Sequence, residues 1–261
     1  MKKNKHLFLF CFFFVVLGLK NAFSQQLRAT IPIAAKFLRT SPNYTSYLVE
    51  DNSTIHQLDS NGKISNSFRH PRLGNMDNLD VSNPFKLMAF YDDFQTLVFF
   101  DKNLNVLNEL DFKSINFSNV TAAALFTDNQ ILIFDDNEKK LKIIDFQGRV
   151  RQESNFVENS IYTIIFQGKQ IITYSPENVV FSFDFALQSR LLLTDEKITD
   201  IETLGEAIFI HHQNETFLFD DKQELLKTIP IPYVLQLSER VYFSNHRFFI
   251  LNSKEVKIFA Y

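Results

Sequence analysis

The sequence predicts an all-β fold, a six-bladed β-propeller closed by its own N-terminal strand. Five short apolar runs end in Asp and a polar turn: I-H-Q-L-D (55–59), L-V-F-F-D (97–101), L-K-I-I-D (141–145), V-F-S-F-D (180–184) and T-F-L-F-D (216–220). Their Asp residues stand 42, 44, 39 and 36 positions apart, the interval of a four-stranded blade. Between them, apolar and β-branched runs alternate with clusters of Asp, Asn, Gly, Ser and Pro. No window keeps a 3.6-residue helical period for three turns.

The chain opens with a basic M-K-K-N-K, an uncharged apolar run over 7–19 and the small residues Ala22 and Ser24. That pattern is expected of a signal peptide over residues 1–24, and the apolar run is shorter than the roughly 20 residues a membrane span requires. A single propeller domain is then expected over 25–261. Cys11 lies inside the apolar run, so the mature chain would hold no cysteine and would rely on packing rather than disulfides.

Blade 1 is assigned to 35–39, 46–50, 54–59 and 63–68, and blade 2 to 76–81, 86–91, 96–101 and 105–112. Blade 3 takes 121–127, 130–135, 140–145 and 149–153; blade 4 takes 161–166, 170–174, 179–184 and 189–193. Blade 5 follows with 198–204, 207–211, 215–220 and 224–229. Blade 6 then offers only three strands, 240–243, 247–251 and 256–260. An open ring would expose strand edges, and Q-L-R-A-T-I-P-I at 26–33 matches E-L-L-K-T-I-P-I at 224–231, the outer strand of blade 5. The N-terminal strand is therefore expected to complete the last blade.

Each terminal Asp should accept hydrogen bonds from backbone N–H groups two or three residues ahead, fixing the turn into the outer strand. S-N-G after Asp59 and F-Q-G after Asp145 place Gly where a positive φ is wanted. In blade 6 the aligned position is Ala260, where no such turn follows.

The formal charge is −3, and becomes −7 once Lys2, Lys3, Lys5 and Lys20 leave with the signal. A mildly acidic chain without a basic stripe is a poor nucleic-acid binder. Motifs for a serine-nucleophile elbow, a zinc protease helix and a phosphate loop are absent, and six Gly leave little scope for loops that cradle phosphate.

In a propeller, the loops from strand four to the next strand one share a face with the strand two to strand three loops, and such rims carry function. The richest is R-H-P-R-L-G-N-M-D-N-L-D at 69–80. Its Arg69, His70, Arg72, Asn75, Asp77 and Asp80 are candidates for binding an anionic group or a partner's polar backbone. Acidic pairs in the other loops, Asp92 with Asp93 and Asp135 with Asp136, could instead converge on Ca²⁺, which takes six to eight oxygen ligands. Hairpin-turn solvation is the plainer account of those carboxylates. His211 and His212 are adjacent in a strand and point to opposite faces, so His211 alone is taken as a candidate facing the channel.

The third strands ending in Asp before a Gly-containing turn resemble six-bladed propellers of the NHL-like kind, across the whole mature chain. The stretch R-L-G-N-M-D-N-L-D-V-S-N-P-F-K (72–86), continuing through F-Y-D-D-F-Q-T-L-V-F-F-D (90–101), is similar to a group of uncharacterised exported bacterial propeller proteins, chiefly over blades 1 and 2. Neither resemblance carries an activity. With no Trp, the chain lacks the Trp-Asp dipeptide of WD40 blades and the tryptophan docking of quinone-dependent dehydrogenases.

The expected function is a non-enzymatic, exported propeller, periplasmic or extracellular, serving as a protein-interaction platform in the bacterial cell envelope. No cofactor is expected, nor an integral membrane segment after signal cleavage. The alternative is a metal-dependent, lactonase-like hydrolase with Ca²⁺ at the channel mouth.

Overall fold

The computed structural model describes residues 26–166, 168, 170–194, 198–204, 207–212, 215–220, 224–230, 240–244 and 247–260. The signal-peptide assignment and Cys11 lie outside them. The described residues form six four-stranded antiparallel sheets. Strand β1 (Gln26–Ile31) precedes blade 1, which holds β2 (Ala35–Thr40), β3 (Ser46–Glu50), β4 (Ile55–Leu58) and β5 (Ile64–Phe68). Blade 2 holds β6 (Asn78–Asp80), β7 (Lys86–Tyr91), β8 (Thr96–Asp101) and β9 (Val106–Asp111). Blade 3 holds β10 (Val120–Thr127), β11 (Gln130–Asp135), β12 (Lys140–Asp145) and β13 (Val150–Glu153). Blade 4 holds β14 (Thr163–Phe166), β15 (Ile171–Tyr174), β16 (Val179–Phe183) and β17 (Ser189–Thr194). Blade 5 holds β18 (Ile198–Leu204), β19 (Ala207–His212), β20 (Glu215–Phe219) and β21 (Leu225–Pro230). Blade 6 holds β22 (Arg240–Ser244), β23 (Arg247–Leu251) and β24 (Val256–Ala260).

The expected closure is present. Strand β1 lies antiparallel on β24, from Gln26 opposite Ala260 to Ile31 opposite Val256, and completes the order β1-β24-β23-β22. Ile31 enters one apolar cluster with Val256 and Ile258 of blade 6, Leu48 of blade 1 and Phe100 of blade 2. The seam of the ring is thus held by strand pairing and by packing that crosses blades, and no edge of β24 is left open.

Burial explains why the inner strands read as continuous apolar runs. Each blade is sandwiched between two neighbours, so both faces of its central strands are covered; Leu97, Val98, Phe99 and Phe100 of β8 are all buried. The outermost strands have one neighbour and face solvent, as β9 and β13 do along nearly their whole length.

The Asp-terminated turns follow one geometry. Asp59 Oδ1 accepts from the N–H groups of Asn61 and Lys63, Asp101 Oδ1 from Asn103 and Asn105, and Asp145 Oδ1 from Gln147 and Arg149. Asp184 and Asp220 accept from Gln188 and Glu224. The partners are therefore two and four residues ahead, rather than two and three. The third N–H is already taken: Gly62, Leu104, Gly148 and Leu187 each donate to the carbonyl of their own turn's Asp. That bond places the third residue at positive φ, +81° at Gly62 and +77° at Gly148, where glycine carries no Cβ penalty. Blades 2 and 4 hold Leu104 and Leu187 there instead, and both side chains are buried.

One element was not expected. Residues Phe112–Ile115 form a short 3₁₀ turn after β9, capped by Asp111, whose side chain accepts from the Lys113 N–H.

Candidate functional site

Two regions gather chemistry-bearing side chains, one at each end of the central channel. The first is the rim built from the loops that enter the inner strands and the loops joining second to third strands. The loop at 69–77 is fastened there at several points. His70 Nδ1 accepts from the Leu73 N–H at 3.0 Å and the Arg72 N–H at 3.3 Å. Its proton therefore sits on Nε2, 3.3 Å from Glu109 Oε1. Ser53 Oγ accepts from the Met76 N–H, Lys36 Nζ donates to the Met76 carbonyl, and Asp77 Oδ2 accepts from the Asp92 N–H. His70 is buried, whereas Arg69, Arg72, Asn75 and Asp77 are exposed.

The acidic pairs are placed on the same face but do different jobs. Asp135 is buried and paired with Lys142 Nζ at 2.8 Å, and Asp136 with Lys139 Nζ at 2.7 Å. Burial would raise the Asp136 carboxyl, but the bonds from Lys139, Ser160 and Asn119 outweigh it and hold it below the usual range. Asp92 goes the other way: partial burial, then the nearby Asp77 and Asp93, push it up despite a bond from Gln95 Nε2. Among the described residues, no three His, Cys, Asp or Glu side chains form a group able to hold a metal ion.

The second region lies deeper and is built by the inner strands. Arg39 of β2 reaches across the channel to Asp200 of β18, with Nη1 and Nη2 at 3.1 and 3.4 Å from its two carboxylate oxygens. Tyr242 of β22 donates its hydroxyl to Asp200 Oδ2 at 2.8 Å. Blades 1, 5 and 6 are thereby tied together through one carboxylate. Burial alone would raise Asp200, but the guanidinium of Arg39, with His211 and Tyr242, keeps it below the ordinary value. Burial lowers the affinity of Arg39 for its proton, and Asp200, Tyr242 and Glu202 more than restore it.

Two further carboxylates join this region. Glu202 is two residues on from Asp200 and so shares its side of β18; its Oε1 lies 3.1 Å from Nε2 of His211. His211 packs its ring 5.4 Å from that of Tyr242, with Nδ1 3.2 Å from Thr216 Oγ1. Asp80 of β6 accepts from the N–H groups of Ser82 and Leu125, yet burial dominates and raises its carboxyl.

Of the residues singled out in the sequence, His211 and Asp80 belong to this inner cluster, Asp80 as the end of the 69–80 loop. Arg39, Asp200, Glu202 and Tyr242 were missed. The available signal was charge on a channel-lining strand: Asp200 and Glu202 sit at i and i+2 in I-T-D-I-E-T, and Arg39 ends the apolar run A-K-F-L-R-T. Turn-centred reading passes over such positions.

No protein-family model matches the chain, and no curated protein matches it by sequence. Solved structures do share the architecture. The β-propeller domain of Cps50 (Swd1) from Myceliophteria thermophila superposes with a TM-score of 0.63 at 11% identity, covering 91% of this chain and 99% of that one. A streptogramin B lyase gives 0.61 at 12% identity, covering 90% and 96%. The Pan2 WD40 domain of Neurospora crassa gives 0.61 at 10% identity, covering 90% and 95%. At such identities the likeness establishes the propeller fold and nothing about activity.

Proposed function

We propose that the chain is an exported, non-enzymatic β-propeller that serves as a protein-interaction platform in the bacterial cell envelope, periplasmic or extracellular. The observation that carries this reading is a set of exposed aromatic side chains on the rim loops. Phe94 is 47% exposed, Phe156 69% and Tyr162 49%. The loops bearing them are fixed to the scaffold: Gln95 Nε2 donates to the Val120 carbonyl, and the Val157 N–H to that of Lys139. Large apolar rings held out on rigid loops, on the same face as exposed Arg69, Arg72, Asn75 and Asp77, suit the aromatic anchors and polar rim of a protein interface. Among the described residues no helix is long and apolar enough to cross a membrane.

The test is cross-linking in the native host with the wild type and a Phe94→Ser/Phe156→Ser variant of unchanged melting temperature. A partner recovered with the wild type should be lost with the variant; equal recovery would refute the reading. A metal-dependent, lactonase-like hydrolase with Ca²⁺ at the channel mouth is the second reading; Asp77 and Asp93 lie near enough to raise Asp92, but among the described residues they form no group able to hold a metal ion. Stoichiometric Ca²⁺ in the purified protein, lost together with hydrolysis, would favour that enzyme instead.

A further inference from the structure

We infer that the channel, at the end away from the rim, forms a binding site for a small organic cation carrying an apolar body. A cavity of about 480 Å³ opens where the inner strands of blades 1 to 5 finish, within the size range of small-molecule sites. Its lining is divided by chemistry. Blades 3 and 4 supply Phe126 and Phe166, whose ring centroids are 4.8 Å apart. Phe185 stands 6.2 Å from each of them and is half exposed, so the aromatic wall continues outward from the cavity. Blades 1, 2 and 5 supply Arg39, Asp80 and Glu202.

The balance of charge sets the sign of the ligand. The three carboxylates of Asp80, Asp200 and Glu202 surround the one guanidinium of Arg39, and with Asp128 set against Lys86 the cluster stays net negative among the described residues even counting His211 as charged. Arg39 is committed to Asp200 by two contacts and donates to the Leu38 carbonyl as well. The other cation of the lining, Lys86, lies over the rings of Phe99 and Phe146 and donates to the Asp128 carbonyl. The carboxylates are paired as well, Asp200 with Arg39 and Tyr242 and Glu202 with His211, but a carboxylate accepts from more than one donor, so an anionic ligand meets the less favourable surface. A ligand cation would meet carboxylates on one side and aromatic faces on the other, both of which attract it in a partly open cavity. This site is separate from the rim and holds whether or not the rim binds a protein.

Isothermal titration with three probes of one shape tests the assignment: phenethylammonium, neutral 2-phenylethanol and anionic 3-phenylpropionate. Phenethylammonium should bind at least about tenfold more tightly than either, a margin typical of a charge-assisted contact. Glu202→Gln should weaken it by about tenfold, and Phe166→Leu by a smaller factor with the preference for the cation kept. Equal binding of the three probes, or undiminished binding to a folded Glu202→Gln variant, would overturn the inference. Should Glu202→Gln fail to fold, the comparison of probes on the wild type and on Phe166→Leu remains decisive.

Discussion

Removing the carboxylate that joins three blades should be far more damaging than its small size implies. In Asp200→Leu, the guanidinium of Arg39 stays in place with its side chain only 12% exposed, and the Tyr242 hydroxyl loses its acceptor. Breaking a buried pair from one side costs about 3–5 kcal/mol, because a charge is left without its partner. Glu202 also acts on Arg39, which places the expected loss near the low end, about 3 kcal/mol. For a chain of this length that corresponds to a fall in melting temperature of roughly 6–12 °C. Arg39→Met should be similarly harmful, since it strands Asp200. The double variant Arg39→Met/Asp200→Leu removes both charges and should regain most of the loss, giving a coupling of about 2 kcal/mol or more. Urea unfolding followed by tyrosine fluorescence suits a chain with eight Tyr and no Trp. Strictly additive losses in the double variant would refute the claim that this contact acts as a buried pair.

Deleting residues 26–33 should open the ring along β24, lowering the melting temperature and producing oligomers on a sizing column; a monomer of unchanged stability would disprove the latch. Gly148→Ala should cost about 1–3 kcal/mol, because at φ +77° its Cβ would lie 2.7 Å from the Ile115 carbonyl oxygen. Gly168→Ala, with the same sign of φ but nothing within 4 Å, should cost less, and thermal melts compare the two. Burial would raise Asp145, but bonds from the Arg149 and Gln147 N–H groups and from the Arg149 and Arg151 side chains hold it down to about 2 against an ordinary 3.8. A lowered carboxyl stabilises the fold above its ordinary value, and that contribution disappears as pH falls from about 3.8 to about 2. Melting temperatures across that window should therefore fall less steeply for Asp145→Asn than for the wild type.

The ring was legible in the sequence because its repeat is carried by local chemistry. An Asp that must fasten a turn recurs at 59, 101, 145, 184 and 220, and its absence at Ala260 marked the blade that borrows a strand. The site was less legible because its members meet only through closure. Arg39 and Asp200 are 161 residues apart, on blades separated by a third, and no short motif records that distance. Leu104 and Leu187 were obscure for another reason: a positive φ invites Gly, and only the packed structure shows buried side chains compensating for its absence.

The borrowed strand also imposes an order in time. Residues 26–31 emerge before the rest of the ring, yet their partner, Val256–Ala260, emerges after everything else in it. Until then β1 has no sheet to join, and blades 1 to 5 can be built while the molecule stays an open arc. Pairing at so great a sequence separation is slow, since the entropy of closing the loop is lost before any contact repays it. A nascent or truncated chain that stops short of residue 256 carries two unsatisfied edges, a sticky state from which only the final strand releases it.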